Sequence, residues 1–240
     1  MICGTFRIIT LVPGLHENML DPPGDIRNKI SVIVPTMWKC AFFPAFLDDL
    51  VNHELVEDII IIDNDTYNKH TIPKNSKIQL VSFGTNIFVN PAWNLGVYLT
   101  KAPIICFAND DIIFDLRIFD KISQQITMDH GCYGLNERHE INGDIFFDQY
   151  GYEDLFGFGQ LMFIHRKNWI DIPEEINVYY GDNFIFDVQA TQGKPNFLIK
   201  NLLYYTPHAQ TTGGFGWMLN NEGIQYAKIC QNRQLKRLHP

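Results

Sequence analysis

In the first half of the chain apolar residues come in two alternating textures: short unbroken runs, and longer stretches in which they recur every three or four positions. Residues 30–35, ISVIVP, form an unbroken run rich in β-branched residues, the pattern of a strand buried on both faces. After it, Phe43, Phe46, Leu47, Leu50 and Val51 fall on one helical face while Asp48, Asp49 and Asn52 fall on the wet side. Residues 58–63, DIIIID, and 78–83 read as a second and a third strand. Asn90-Pro91 predicts the start of a helix, with the Asn as its cap and the Pro in its first turn. Residues 104–108 form a fourth strand, and Asp115 is expected to cap a helix that carries Phe119, Ile122 and Ile126.

That succession of strands and helices predicts an α/β fold whose mostly parallel sheet is covered by helices on both faces. The texture then changes. Between Tyr133 and Tyr205, runs such as LMFIH and FLIKNLLYY mix with Gly-rich and acidic turns, so an α+β subregion built onto the first sheet is expected. The DPPGD turn at residues 21–25 sets residues 1–28 apart as an extension. A single domain is expected over 29–217, with halves 29–128 and 129–217, followed by a helical tail over 218–240. The sequence has no internal repeat and no low-complexity segment.

A chain of 240 residues with 46% hydrophobic content suits one domain with a full core. Its formal net charge of −8 argues against a protein that coats nucleic acid, which would need a basic face. The same charge constrains any anionic substrate. An acidic protein that binds phosphates must supply local positive charge, and a metal ion does so without altering the sequence balance. Cys3, Cys40, Cys106, Cys132 and Cys230 are scattered, with no CxxC, and read as reduced thiols of a cytoplasmic protein. No apolar run approaches the length of a membrane span, and RIITLVPGL near the start is too short and poorly flanked for a signal peptide, so a soluble intracellular protein is expected.

Against that background, residues 104–115, IICFANDDIIFD, carry the most chemistry. The apolar strand ends on Asn109-Asp110-Asp111. An unpaired carboxylate buried among Ile and Phe is costly, so these acids belong at the mouth of the sheet. In open α/β sheets the carboxyl ends of the strands are where ligands bind. A carboxylate pair there can hold a divalent cation, and the cation can hold a diphosphate.

The motifs, in their order, resemble family 2 glycosyltransferases of the GT-A fold, with the closest likeness to their rhamnosyltransferase-like branch. A first strand ends in Pro35-Thr36, a second in Asp63-Asn64-Asp65, and an Asn-rich segment runs from Asn86 through Asn90 to Asn94-Leu95-Gly96. Asn109-Asp110-Asp111 stands where the family has its DxD or NxD motif. A small-residue strand with basic and aromatic residues follows from Gly157 to Trp169, then Gly181-Asp182-Asn183 where an acidic pair opens a helix, and His208 ahead of Gly213-Gly214. The likeness covers residues 29–216. Two positions depart from the pattern: Gly181 replaces the Glu of the acidic pair, and Asn109 replaces the first carboxylate of the metal motif.

The resemblance implies an inverting, metal-dependent transfer of a sugar from a UDP-, GDP- or dTDP-sugar to a hydroxyl of a glycan or glycoconjugate, with Mn2+ or Mg2+ as cofactor. It implies Asp111 and His208 as metal ligands, with Asp110 orienting the metal, its water or the donor ribose. Asn109 would contact the ribose or the water shell. Pro35, Thr36, Asp63, Asp65, Asn90 and Asn94 fall on the nucleotide side, where a carboxylate suits ribose hydroxyls or the uracil imide. Asp182 would take the acceptor's proton, with Glu153 and Asp154 in reserve. Thr211 to Trp217, Gly-rich with two aromatics, would suit a lid. Trp93, Trp169, Tyr179, Tyr180 and Trp217 are candidates for stacking on sugar rings.

Each reading has a plainer rival. Asp and Asn are common in turns at strand ends, a capping Asp is common where a helix starts, and a lone His after a strand is usually structural. The basic tail, with Lys228, Arg233, Lys236, Arg237 and His239, is either a solvated helix end or a patch that grazes an anionic membrane. Two other functions remain open. One is a non-catalytic carbohydrate- or nucleotide-binding protein that keeps the fold. The other, a sugar-nucleotide pyrophosphorylase, is disfavoured because PTMWKCAFFP lacks the glycines of a phosphate-cradling loop after the first strand.

Overall fold

The computed structural model describes residues 29–72, 74–136, 143–150, 157–207 and 212–236. Strand β1 (Ile30–Thr36) runs through its centre and pairs in parallel with β2 (Val56–Asp63) on one side and β4 (Ile104–Ala108) on the other. Strand β3 (Ile78–Ser82) lies parallel to β2 at one edge. Beyond β4 the direction reverses at β8 (Leu161–His165), which pairs antiparallel with β4 and with β6 (Cys132–Leu135). The sheet ends with β9 (Phe197–Lys200), parallel to β6, and β7 (Phe146–Gln149), antiparallel to β9. The eight-stranded order is β3-β2-β1-β4-β8-β6-β9-β7, a parallel half joined to a mixed half. A separate small ribbon pairs β5 (Ile113–Phe114) with β10 (Tyr204–Tyr205).

The unbroken apolar runs have a direct structural cause, because alternate residues serve different layers. Val32 and Val34 of β1, Ile59 and Ile61 of β2, and Cys106 of β4 point into one cluster with α1 (Phe43–Asn52) and α3 (Arg117–Gln125). Ile33, Ile60, Ile62, Ile105 and Phe107 point into the other, with α2 (Val89–Leu99), α4 (Gly181–Thr191) and α5 (Gly216–Arg233). The central strands of a sheet sandwiched in this way have no wet face and keep polar residues near their ends, whereas the edge strands β3 and β7 carry exposed Gln79 and Asp148. The last helix belongs to this core. Tyr226, Ile229 and Cys230 of α5 are buried in the same cluster as Trp93 and Phe184. Its terminal Arg233 lays a guanidinium over the Phe184 ring at 5.2 Å. Arg237 and His239 lie outside the described residues, as does the extension 1–28.

Three local readings are corrected. Helix α2 starts at Val89, after Phe88 at φ 66°, so Asn90 lies inside the first turn and is not its cap. Its side chain crosses instead to another segment, described below. Residues 197–205 do not form one strand, because Asn201 at φ 60° breaks them into β9 and β10. Asp115 accepts from the Arg117 N–H at 3.0 Å, but the helix proper begins two residues after it. Cys40, Cys106, Cys132 and Cys230 are buried and lie in no disulfide among the described residues. No helix among them is long and apolar enough to cross a membrane.

Candidate functional site

The parallel strands end together at one edge. Thr36 pairs with Asp63 across β1 and β2, and Ile33 pairs with Phe107 across β1 and β4, which brings the residues after β4 beside the end of β1. The Thr36 hydroxyl donates to Asp110 Oδ2 at 2.5 Å and accepts from the Trp38 N–H at 2.8 Å. Antiparallel β8 brings its leading end to the same place, where the Asn109 N–H donates to the Gln160 carbonyl at 3.0 Å. Helix α4 opens alongside. Asp182 Oδ2 accepts from the Gly159 N–H at 3.1 Å and Oδ1 from the Asn183 N–H at 3.0 Å, so two backbone groups orient this carboxylate.

These ends enclose a cleft of about 480 Å³. Of the residues singled out in the sequence, Pro35, Thr36, Asn90, Asn109, Asp110, Asp111 and Asp182 line it, as do Trp93, Tyr179 and Tyr180. At its rim Phe88 and Phe215 meet edge to face, their ring centroids 5.5 Å apart. Gly181 also stands at this point for a steric reason. A Cβ there would fall 2.1 Å from Asn90 Oδ1, so no Glu fits at 181 while Asn90 keeps its place.

Electrostatically the cleft is acidic. Burial pushes the Asp110 carboxyl above its ordinary value; the bond from Thr36 opposes that rise and the charge of Asp111 adds to it. Asp111 is itself buried. No Lys, Arg or His appears among the described residues lining the cleft. A diphosphate entering here would face the carboxylates of Asp110, Asp111 and Asp182 and, among the described residues, no cationic side chain. The donors present, carboxylate and amide oxygens, are the kind that Mg2+ and Mn2+ prefer, so the residues fit a hard divalent cation. Among the described residues no group of three His, Cys, Asp or Glu is assembled, and His208 lies outside them, with Glu153, Asp154 and Thr211.

Other predicted residues stand apart from the cleft wall. Asp63 is buried at the end of β2, and its Oδ1 accepts from Trp38 Nε1 at 3.0 Å and from the Asp65 N–H at 3.0 Å. Asp65 is bonded to His70 Nε2 at 2.7 Å, to Asn68 and to the Tyr67 N–H, and the His70 bond chiefly holds its carboxyl well below the usual range. Trp38, whose backbone takes the left-handed φ of 57°, stacks its indole on the His70 ring with the centroids 4.6 Å apart. Asn94 makes both of its amide bonds to the Ile172 backbone, at 2.9 Å each, a tie between α2 and the loop after β8. Trp169 stacks on Phe107 in the core, and Trp217 is exposed.

Sequence reasoning missed Asn64, Phe88 and Leu219, which line the cleft. Asn64 was legible in principle, since it sits between the two acids that end β2. Its Oδ1 accepts from the Ile87 N–H at 3.1 Å, tying that strand end to the approach of α2. Phe88 and Leu219 carried no signal beyond being apolar.

No protein-family model matches this sequence, and no curated protein matches it. Solved structures do match in fold. The protein is similar to TarS 1-349 of S. aureus, with 12% identity and a TM-score of 0.50 over 74% of this chain and 59% of that one. The same protein in complex with UDP-GlcNAc matches over 74% and 57%, again at 12% identity and a TM-score of 0.50. It is also similar to the mannosyltransferase PcManGT from Pyrobaculum calidifontis in complex with GDP-Man and Mn2+, at 12% identity and a TM-score of 0.52 over 70% of this chain and 53% of that one. The chain spans between a half and three fifths of the length of these proteins. Identity this low speaks to architecture alone: the chain shares the fold of these proteins.

Proposed function

We propose that the protein is a glycosyltransferase that moves a sugar from a nucleoside diphosphate to a hydroxyl acceptor. The observation that carries this reading is the convergence of Thr36, Asp110, Asp111 and Asp182 on one cleft at the carboxyl edge of the sheet. One side of that cleft holds the Asp110 and Asp111 carboxylates, which suit a metal-borne diphosphate, and the other offers the oriented Asp182 carboxylate. The neighbours in fold, one carrying UDP-GlcNAc and another GDP-Man with Mn2+, support a nucleotide-sugar donor. The narrower likeness to the rhamnosyltransferase-like branch rests on sequence motifs alone.

In this reading Asp111, with Asp110 beside it and His208 as a further ligand, holds Mn2+ or Mg2+, which when bound neutralises charge that grows on the leaving diphosphate. Thr36 keeps Asp110 turned toward the cleft. Asp63 and Asp65 serve the nucleotide side only indirectly, by holding Trp38 and the loop after β2 in place. Asp182 takes the acceptor's proton as its oxygen attacks the anomeric carbon, giving inversion. The aromatic rim of Phe88, Phe215 and Tyr180 supplies flat apolar surface for sugar rings and keeps water off the reacting centre. The acceptor is a glycan or glycoconjugate hydroxyl.

Calorimetric titration with UDP, GDP, dTDP and their sugars, with Mn2+ or Mg2+ and then with EDTA, tests the donor half. Metal-dependent binding that Asp111→Ala abolishes is expected. Asp182→Asn is expected to leave that binding intact and to lower kcat by roughly 10²–10⁴-fold. Failure to bind any of these nucleotides under either condition would overturn the transferase reading. Metal-dependent binding without turnover would identify a binding protein that keeps the fold.

A further inference from the structure

Helix α5, expected from sequence as a tail, reaches the cleft through a buried charge. Glu222 is 1% exposed, and among the described residues no cation pairs with it. Its carboxylate is spent on three consecutive backbone amides. Oε1 accepts from the N–H groups of Asn177 at 3.0 Å and Val178 at 3.3 Å; Oε2 accepts from those of Val178 at 3.1 Å and Tyr179 at 2.7 Å. Successive amides turned toward one point form an anion-binding concavity, and here the anion is a side chain of the same protein. The opposite side of the segment is held by α2. The Asn90 amide donates to the carbonyls of Ile176 at 3.2 Å and Tyr179 at 3.1 Å, and the Asn90 N–H donates to the Asn177 carbonyl at 2.9 Å.

The clamped segment leads straight into the candidate base. Val178, Tyr179 and Tyr180 line the cleft, Tyr180 adopts the left-handed φ of 62°, and α4 begins at the next residue with Asp182 in its first turn. Two further contacts from α5 follow Glu222. Gly223 gives room for the Tyr180 hydroxyl, since a Cβ there would lie 2.9 Å from it, and Tyr226 stacks on the Tyr180 ring at 5.2 Å. A left-handed Tyr is unfavourable by itself and persists because its surroundings hold it. Every bond that Glu222 makes here goes to backbone within five residues of Asp182.

We infer that Glu222 is a positioning residue: it fixes the 177–180 segment against the cleft and thereby sets where the Asp182 carboxylate stands relative to the reacting centre. This rests on the reading of Asp182 as base, but the clamp itself is measurable without turnover. Glu222→Gln keeps the shape and removes the charge and one acceptor. Amide hydrogen exchange at Asn177, Val178 and Tyr179 is expected to quicken at least tenfold in the variant. Nucleoside diphosphate affinity, measured with Mn2+, should stay within about twofold, because Thr36, Asp110 and Asp111 do not touch Glu222. The kcat for hydrolysis of the donor sugar that the titration identifies should fall tenfold or more, with its KM nearly unchanged. Should Glu222→Gln fail to fold, Glu222→Asp, which keeps the charge on a shorter arm, carries the same comparison. Unchanged exchange at the three amides would overturn the inference, and so would losses of kcat and nucleotide affinity by the same factor, which mark general loosening. If the wild-type protein binds no nucleotide, the transferase reading falls while the exchange comparison still decides whether Glu222 holds the segment.

Discussion

Replacing Asp58 with Asn is expected to stabilise this protein at neutral pH. Asp58 is the third residue of β2, opposite Ser31, and is only 4% exposed, at the end of the sheet away from the cleft. Among the described residues neither of its oxygens has a partner at full hydrogen-bond geometry, although Ser31 and Lys101 come near enough to favour the charge in part. Desolvation therefore pushes its carboxyl above the ordinary value, with Ser31 and Lys101 opposing only part of the rise. A buried charge lacking partners is unfavourable, and leaving a buried polar group unsatisfied costs about 1–3 kcal/mol, more when it is charged. Asn keeps the volume and removes the charge but leaves a neutral amide in its place, so only the part of the penalty that belongs to the charge, about 1 kcal/mol, is regained, which at about 2–4 °C for each kcal/mol is a readable rise in Tm. The sign of the pH dependence follows from the folded carboxyl holding its proton more tightly than the unfolded chain does. The penalty is fully present above the folded pKa and is relieved as pH falls through it toward the unfolded value of 3.8. Scanning calorimetry of both proteins between about pH 8 and about pH 4 should show the Tm difference closing as acid is added. An Asn variant that melts lower at neutral pH, or a difference that ignores pH, would refute the reasoning.

The cleft offers two sharper perturbations. Thr36→Val keeps the shape of the side chain but removes the donor to Asp110 and the acceptor for the Trp38 N–H. A hydrogen bond to a charged group contributes about 1.5–3 kcal/mol, so nucleoside diphosphate affinity is expected to fall about 10–100-fold by calorimetry, with Thr36→Ser near wild type. Equal affinity in the Val variant would show that Asp110 needs no such support. Gly181→Ala drives a methyl to 2.1 Å from Asn90 Oδ1, a contact that must be relieved by moving the clamped segment or α2. Overpacking of this kind costs about 1–3 kcal/mol, and thermal melts should show it as a lower Tm; no change would mean that the Asn90 side chain yields freely.

What could be read from the sequence, and what could not, divides by how far along the chain the deciding partner lies. The buried strands were legible because a strand covered on both faces must be apolar at every position, as Ile59 to Ile62 are. Asp110 and Asp111 were legible for the converse reason, since acids after such a run can only mark its wet end. Asn90 misled because a cap is judged from its neighbours, whereas its true partners are the carbonyls of Ile176 and Tyr179, reached only when the fold closes. Asp63 and Asp65 were placed correctly at a strand mouth, yet their side chains answer to Trp38 and His70, so proximity to the edge did not place them on the cleft wall.

Glu222 carries this division to its limit. On a helix with Asn220, Asn221 and Lys228 as neighbours, an acid reads as part of a solvated face, and no spacing rule within α5 distinguishes it from one. What turns it inward is the register of α5 on the core, set by Tyr226, Ile229 and Cys230, which aims position 222 at three amides from a different part of the chain. A chain with a net charge of −8 has many carboxylates to place, and the cleft already holds three of them in Asp110, Asp111 and Asp182. One more beneath the cleft is tolerable only because backbone N–H groups receive it, and those same bonds make the approach to Asp182 rigid. The charge that would be a liability as a bare buried ion is thereby a means of orientation, which is why its removal should be felt in kcat before it is felt in nucleotide binding.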